Sequence, residues 1–473
     1  MNVVETGELL QAVETKYDLL RPSLAGWRAW VVLRFAVAMA MWDLPISRNT
    51  EEGRLTLRER LQLGARDLWG TLRAPRDGTL TLVNTSNWAE VVNNRAKDIY
   101  FDDLLLALKT PVVKLEHINN KQYAERRDSA LLPACISTTG NYLLSGMLAK
   151  LPLSTAVKTL AAHFTPIIQN DLQQKLFSFE RVANLLQTFV WRKRIFKGML
   201  KALRPRRLLL INSYNNAALI AAARELHVEV IEFQHGIIYR HHPGYSWAGS
   251  ASTHKPFMPL PNRFFLYGDY WQKELQIDGF WDVELENVGS LRMDAFRTAE
   301  SATEESAARP LRLALTSQGI ESENVARFLA DLLNLAQTRG VQIRLDVKLH
   351  PGEQDDTPYR KHLTHAGVRI LRGAQPPSTF ELLQAADFHL SIASTCHYEA
   401  LGLRTPTVIL TFPNHEKVLH LTQTGFAFTA STPADALDLL LSKRGLRVPP
   451  EIGDQFFRAN ARENMLRALG EMA

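Results

Sequence analysis

Residues 342–352 read QIRLDVKLHPG, and residues 391–410 read SIASTCHYEALGLRTPTVIL. The first is an apolar strand candidate that runs directly into His350, Pro351 and Gly352. In the second, the end of an apolar strand is followed by Ser394, Thr395, Cys396 and His397. Polar and ionisable residues that begin where a buried strand stops belong at the carboxyl end of a parallel strand. Open α/β sheets bind their ligands at that edge.

The neighbouring sequence keeps the same rhythm. LRLALTSQG (311–319) reads as a strand, ENVARFLADLLNLAQTRG (323–340) as a helix ended by Gly340, and GVRILRG (367–373) as a strand. STFELLQAA (378–386) is a helix with Ser378 or Thr379 as N-cap. DFHLSIAS (387–394) and TPTVILTF (405–412) are strands separated by the helix TCHYEALGLR (395–404), and TPADALDLLLSK (432–443) is a further helix. Strands alternating with helices predict a doubly wound parallel sheet.

The preceding half carries the same signature. RLLLINS (207–213), YNNAALIAAARELH (214–227) and VEVIEFQHG (228–236) form a strand–helix–strand unit, followed by a long loop, the strand NRFFLYG (262–268) and the helix DYWQKELQ (269–276). LENVGS (285–290) reads as a short strand. Nearer the start, GTLTLVNTSN (78–87) and PVVKLE (111–116) read as strands, WAEVVNNRAKDIYFDDLLLAL (88–108) as a helix, and residues 1–75 and 141–203 as mainly helical. RTAESATEESAARP (297–310) lacks apolar periodicity and reads as a linker. The expected organisation is an N-terminal α/β domain with a helical extension over 1–300, a nucleotide-binding domain over 301–445 and a helical tail over 446–473.

Composition sets outer limits. The chain has 473 residues, a net charge of +6, 46% hydrophobic residues and only two cysteines, Cys135 and Cys396. That length calls for two or three domains. The charge falls short of the dense basic stripe of a nucleic-acid binder, and the cysteines suit a reducing cytosol. No GxxxxGK[ST], HExxH, GxSxG or CxxC motif is present. The start has no basic segment followed by an apolar core, so no signal peptide is read there. GWRAWVVLRFAVAMAMWDLP (26–45) is too short and too charged to span a bilayer. Packed into the N-terminal domain it is an ordinary helix, whereas Trp27, Arg28, Trp30 and Arg34 would also suit a membrane interface.

The run KLHPGE with FELLQAADFHLSIASTCHYEALGLRTPTVIL resembles the nucleotide-binding half of GT-B glycosyltransferases. More narrowly, it is similar to bacterial sialyltransferases, Kdo transferases and CDP-glycerol phosphotransferases of capsule, O-antigen and teichoic-acid synthesis. The matching residues are His350-Pro351, Ser394-Thr395, Glu399, and Gly402 with Pro406, over roughly 310–420. Gln234-His235-Gly236 resembles a turn of the Kdo-transferase group.

The resemblance implies two facing Rossmann-like domains with a cleft between them, a nucleotide-activated sugar as donor, a glycan or lipid-linked glycan as acceptor, and no catalytic metal or other cofactor. In chemical terms, Ser394 and Thr395 at a helix N-terminus suit phosphate. His350 would donate to a phosphate or leaving group, Pro351 would fix its turn, Glu399 would accept ribose hydroxyls, and Gln318-Gly319 would bring backbone near the ligand. Gln234, His235 and Gly236 would meet the donor or its phosphate, with Arg240, His241 and His242 nearby. An inverting transfer needs a base. Its candidates are His235, Glu232, Asp102, Asp103 and Glu90.

The reading is a glycosyltransferase using a donor of the CMP-linked Kdo or sialic-acid type to extend a capsule or lipopolysaccharide O-antigen glycan. It would act in the cytoplasm, with peripheral contact at the inner face of the membrane. The alternatives are a CDP-glycerol or CDP-ribitol phosphotransferase, a UDP-sugar 2-epimerase-like enzyme and a non-catalytic scaffold of polysaccharide export.

Overall fold

The computed structural model describes the chain except residues 1–2, 43–54, 74–77, 86–88, 93–94, 119–134, 282–283, 298–308, 351, 354, 374–375 and 473. Two compact units divide it. One comprises residues 1–288 with 462–473, the other residues 289–461. Most of the linker read at 297–310 lies outside the described residues.

In the first unit, β1 (Ser23–Leu24) and β2 (Trp27–Arg28) form a small ribbon beside helices Val3–Lys16 and Ala29–Met41. Then come β3 (Thr81–Asn84), β4 (Ala89–Val92), β5 (Arg95–Asp98), β6 (Val112–Glu116), β7 (Cys135–Ser137), β8 (Arg207–Leu210), β9 (Glu229–Phe233), β10 (Arg263–Leu266) and β11 (Glu284–Asn287). Seven of these make an all-parallel sheet in the order β11-β10-β9-β8-β3-β6-β7. Its central strands are buried on both faces, so β8 is a run of leucines rather than an alternating strand. Helix Ala217–Arg224 buries Ala218 through Ala223 without a break. Its alanines let it lie close to the 25-residue helix Phe179–Leu203.

One stretch departs from the sequence reading. Residues 88–108 are not a single helix. β4 and β5 pair antiparallel with Val92 opposite Arg95, and only the short helix Asp102–Leu105 follows. Adjacent β-branched valines followed by an Asn-Asn pair favour a hairpin over a helix.

The second unit contains β12 (Leu311–Thr316), β13 (Ile343–Lys348), β14 (Val368–Leu371), β15 (Phe388–Ser391), β16 (Thr407–Leu410) and β17 (Ala427–Ala430). They form an all-parallel sheet in the order β14-β13-β12-β15-β16-β17. Helix Ser322–Thr338 covers it with Val325, Phe328, Leu329, Leu332, Leu333 and Ala336, the 3.6-residue period of a core-facing stripe. Gly340, at φ +69°, supplies the left-handed residue that ends this segment. Ser378 caps helix Thr379–Ala385 in a reciprocal box with Glu381. The sequence reading omitted β17 and helix Thr357–His362.

Residues 462–473 belong to the first unit, whereas 446–461 stay with the second. The tail is held at the amino edge of the seven-stranded sheet. There Arg207 pairs with Glu471 and donates to the Leu469 carbonyl at 2.7 Å, and Arg263 donates to the Ala468 carbonyl at 2.7 Å.

Helix Ala29–Met41 is packed into its unit. Trp30 is 0% exposed, Arg34 2% and Trp27 7%, so these three are not available to a membrane interface. Instead Arg34 Nε donates to Glu14 at 2.5 Å, a carboxylate that also accepts from Trp30 at 2.7 Å. The remaining guanidinium nitrogens donate to the carbonyls of Pro243 and Ser246, and the group lies 3.9 Å from the centre of the Trp247 ring. The extension therefore clamps the long loop that follows β9. Removing one member of such a pair leaves an uncompensated buried charge. Arg34→Ala should lower unfolding stability by about 3–5 kcal/mol, and Arg34→Met with Glu14→Leu by clearly less, measured by urea unfolding.

Candidate functional site

In the second unit the chain leaves β12 towards β13 and β14 on one side, and returns through β15 to β16 and β17 on the other. The crevice outside the carboxyl ends of β12 and β15 is therefore its topological switch point. The Gln318 side-chain oxygen spans that point, accepting from the Ala393 N–H at 2.9 Å. Gly319 follows at φ +69°, a left-handed turn leading into helix Ser322–Thr338.

His350 stands just beyond β13, with its side chain exposed. Its backbone N–H donates to Ser317 Oγ at 3.0 Å, and its Nδ1 accepts from the Gly352 N–H at 3.0 Å. Because Nδ1 is used as an acceptor, the neutral ring carries its proton on Nε2. A Cβ at residue 352 would lie 3.2 Å from Nδ1, so glycine suits this close approach. Pro351 lies outside the described residues.

Glu353 was not singled out in the sequence. Its carboxylate accepts from Ser317 and, at 2.7 Å, from Ser322 at the start of helix Ser322–Thr338. An internal carboxylate thus occupies the electropositive end of that helix. The signal was the Glu of HPGE, three residues after His350.

Ser394 and Thr395 form the turn between β15 and helix Cys396–Gly402, both half-buried. Ser394 Oγ accepts from the Cys396 N–H at 3.2 Å, whereas Thr395 makes no side-chain cap bond. Burial pushes the Glu399 carboxyl above the usual range, and the Arg292 guanidinium, missed in the sequence, pulls the other way. Beneath this turn runs a buried polar chain. Thr316 Oγ1 lies 2.8 Å from His389 Nε2, and Thr407 Oγ1 lies 2.8 Å from His389 Nδ1 and 2.6 Å from His397 Nδ1. Burial drives both imidazoles below their ordinary range, so they stay neutral and fasten the helix to the sheet.

The switch point of the first unit lies between β3 and β8. An amide again bridges it, Asn84 donating to the Asn216 side-chain oxygen at 3.2 Å. Asn212 adopts φ +56° after β8, and its side-chain oxygen accepts from the Tyr214 hydroxyl at 3.0 Å. His235 Nε2 lies 3.3 Å from the same hydroxyl. With the phenol proton committed to Asn212, Nε2 is the donor and Nδ1 holds the free lone pair, buried without a hydrogen-bond partner. Burial lowers the His235 pKa to about 4, so the ring is neutral at pH 7.

Other expectations are corrected. Glu232 is 0% exposed, and its Oε1 accepts from the Ser213 N–H at 3.1 Å and the Tyr245 hydroxyl at 2.8 Å. It braces the site from below and offers no surface to an acceptor. Asp102, also 0% exposed, pairs with Lys114 and accepts from the Asp98 N–H at 2.9 Å, which makes it a structural carboxylate. Asp103 pairs with Lys97 at 2.8 Å, and the Glu90 side chain lies outside the described residues. Gln234 spends its amide internally, donating to the Gly236 carbonyl at 2.8 Å and accepting from the Tyr267 N–H at 2.8 Å. Gly236 has no left-handed φ, and a Cβ there would meet nothing, so its expected role in a tight turn is not needed.

The second HPG is built like the first, with the Gly244 N–H donating to His242 Nδ1 at 3.0 Å. His242 stacks on Tyr245 at 4.8 Å, and a Cβ on Gly244 would collide with the Tyr214 ring at 2.2 Å. Arg240 turns to Asp278 at 3.4 Å, and burial lowers the pKa of His241. Among the described residues no group of three or more His, Cys, Asp or Glu is placed to hold a metal ion.

No protein-family model and no curated protein matches the chain. Solved structures do. The UDP-GlcNAc 2-epimerase of Methanocaldococcus jannaschii is 11% identical with a TM-score of 0.51, covering 83% of this chain and 99% of its own. A Listeria monocytogenes protein of the UDP-N-acetylglucosamine 2-epimerase kind is 11% identical with a TM-score of 0.50, covering 83% of this chain and 95% of its own. The likeness is one of fold. The chain carries the pair of Rossmann-like units of the GT-B fold, with sheets of seven and six parallel strands.

Burial raises the Glu232 pKa to about 7 from an ordinary 4.5. Between these values the folded chain keeps a proton that the unfolded chain has lost. The contribution of this carboxyl to stability therefore falls as pH rises through that window and stays low above it. Relative to Glu232→Gln, the unaltered chain should lose stability between pH 5 and 7, by at most about 1.4 kcal/mol per pH unit. Urea unfolding of both proteins across that range measures the difference.

Proposed function

We propose that the chain is a glycosyltransferase that takes its sugar from a nucleotide-activated donor, with the nucleotide held by residues 289–461. One observation carries this reading. Gln318-Gly319, His350 and Ser394-Thr395 share the carboxyl edge of one parallel sheet, at and beside its switch point. There the His350 ring is set as an Nε2–H donor, and the Thr395 hydroxyl is left out of capping. Both suit phosphate oxygens.

In the transfer, an acceptor hydroxyl attacks the anomeric carbon, the bond from that carbon to the nucleotide phosphate breaks, and the nucleotide leaves. His235 is the residue proposed to take the acceptor proton: its ring is neutral, and Nδ1, buried here without a hydrogen-bond partner, has to open to the acceptor hydroxyl for the transfer. Gln234, donating to the carbonyl of residue 236, supports its turn. The reaction is metal-independent and inverting in this reading. The donor is of the CMP-linked Kdo or sialic-acid type and the acceptor a capsule or lipopolysaccharide glycan, supported by the order of His350-Pro351, Ser394-Thr395 and Glu399 and by Gln234-His235-Gly236. The setting is the cytoplasmic face of the membrane, where activated sugars meet lipid-linked glycans. A CDP-glycerol phosphotransferase would use the same nucleotide half-site. The fold likeness favours, as a second reading, 2-epimerisation of a UDP-sugar.

Calorimetry with CMP, CDP, UDP and GDP separates these readings. Cytidine-specific binding supports the transferase and the phosphotransferase, and uridine preference supports the epimerase. Binding of none of them supports the non-catalytic scaffold of polysaccharide export. Ser394→Ala with Thr395→Ala should weaken the preferred nucleotide about tenfold or more, with an unchanged far-UV spectrum. An unchanged dissociation constant contradicts the assigned phosphate position.

His235→Ala should leave nucleotide affinity intact and reduce turnover of the matching donor by about a hundredfold or more, read as kcat against Kd. Undiminished turnover removes His235 from the reaction.

A further inference from the structure

Arginine cannot shed its charge, so a guanidinium drawn out of water has to meet a carboxylate or other strong acceptors. Elsewhere in the chain this holds. Arg34 faces Glu14, Arg207 faces Glu471, Arg263 faces Glu286 and Arg309 faces Asp387. Arg224 donates instead to the carbonyls of Met258 at 3.2 Å and Leu260 at 3.4 Å. Arg192, half-buried on helix Phe179–Leu203, has neither kind of partner among the described residues. Its guanidinium rests 4.2 Å from the centre of the Tyr142 ring, and its Nε donates to Ser145 Oγ at 3.4 Å. Burial lowers its pKa, with no carboxylate to oppose the effect.

The surroundings add positive charge. Tyr142 lies on helix Thr139–Leu148, and helix Leu57–Arg73 packs beside both of these helices. A Cβ on Gly140 would lie 3.0 Å from the Gly64 Cα, so two glycines let these helices approach closely, with Arg60 one turn before Gly64 on the same face. The other wall is the carboxyl rim of β6. His117 follows that strand and lies against the Tyr142 ring, 4.1 Å between centres. Ile118 fixes this approach, its N–H donating to Thr139 Oγ1 at 3.0 Å and its carbonyl accepting from the same hydroxyl at 2.6 Å. Burial, and then the charges of Arg192 and Arg60, lower the His117 pKa to about 4. Among the described residues no carboxylate, Glu116 included, acts on His117 or on Arg192. Glu59, next to Arg60 in sequence, caps its own helix, accepting from the Thr56 N–H at 2.7 Å.

We propose that Arg60 and Arg192 hold a phosphate group at this corner of the first unit, where three helices meet the rim of β6. A bound phosphate supplies the negative charge that the packing leaves out. Guanidiniums on two separate helices present their N–H forks from two directions, which suits a tetrahedral oxyanion, whereas a carboxylate is satisfied by a single fork. Free phosphate and a phosphate ester share this chemistry. The site uses none of the residues assigned to the nucleotide and does not depend on the glycosyltransferase reading.

The His117 ring reports on the site. In the full chain with isotope-labelled histidine, the His117 resonance is identified by its loss in His117→Asn and followed against pH at constant ionic strength, with and without inorganic phosphate or dimethyl phosphate. A phosphate held by the two guanidiniums should raise the His117 pKa by about one unit or more, since a nearby negative charge favours the imidazolium. Tighter binding of inorganic phosphate marks a free phosphate or monoester as the ligand, and tighter binding of dimethyl phosphate a diester. Arg60→Gln leaves the stack on Tyr142 in place. It should raise the His117 pKa in the absence of ligand, because one positive neighbour is gone, and weaken phosphate at least tenfold. Ser394→Ala with Thr395→Ala should leave the response unchanged, which separates this site from the nucleotide edge. A His117 pKa indifferent to both phosphates overturns the proposal, as does an equal response to chloride or an undiminished one in Arg60→Gln.

Discussion

Every strand of both sheets points the same way as its neighbours, and this constraint organises the rest. A parallel strand cannot return through a tight turn, so each connection crosses over and each strand delivers its loop to the same edge. The chain thereby collects at one rim of each sheet the few polar residues it does not bury. In the second unit these are Gln318, His350, Ser394 and Thr395; in the first they are Asn84, Asn212, Tyr214 and His235. Residues 75 apart in sequence become neighbours because β12 and β15 are neighbours. No local propensity brings Gln318 to the Ala393 amide.

Behind each rim lies a buried polar layer that holds the exposed residues in place. The Thr316, His389, Thr407 and His397 chain fastens the Ser394-Thr395 turn to three strands. In the first unit Glu232 ties Ser213 to Tyr245, and the Arg34 guanidinium holds the loop that carries His242 and Gly244. Such groups are costly to bury singly and stable only when satisfied together, which keeps these rims from drifting among alternative arrangements. Glu232 Oε2 has no hydrogen-bond partner, and burial raises the pKa of that carboxyl to about 7.

The strands after residue 205 were legible because doubly buried strands are short apolar runs that end abruptly in polar loops, as RLLLINS and LRLALTSQG do. The edge position of His350, Ser394 and His235 was legible for the same reason. Residues 88–108 were misread because their apolar spacing resembles a helix, while the Val-Val-Asn-Asn hairpin signal occupies only a few residues. β17, AFTA, is too short and alanine-rich to stand out. Glu232, Asp102 and Gln234 look like reactive groups in sequence, and only burial and pairing show them to be braces. Glu353 and Arg34 went the other way. Their importance rests on partners more than 30 and more than 200 residues distant, a separation that no pattern in the chain reveals.

The central claim, that the carboxyl edge of the six-stranded sheet is a nucleotide-phosphate site, is tested most directly by hydrogen exchange of the full chain with and without a saturating pyrimidine nucleotide. The account predicts slowed exchange confined to the amides of residues 317–322, 350–353 and 393–397, the three loops that the parallel sheet brings to one rim. Protection that spared these loops and appeared elsewhere in the chain would contradict it.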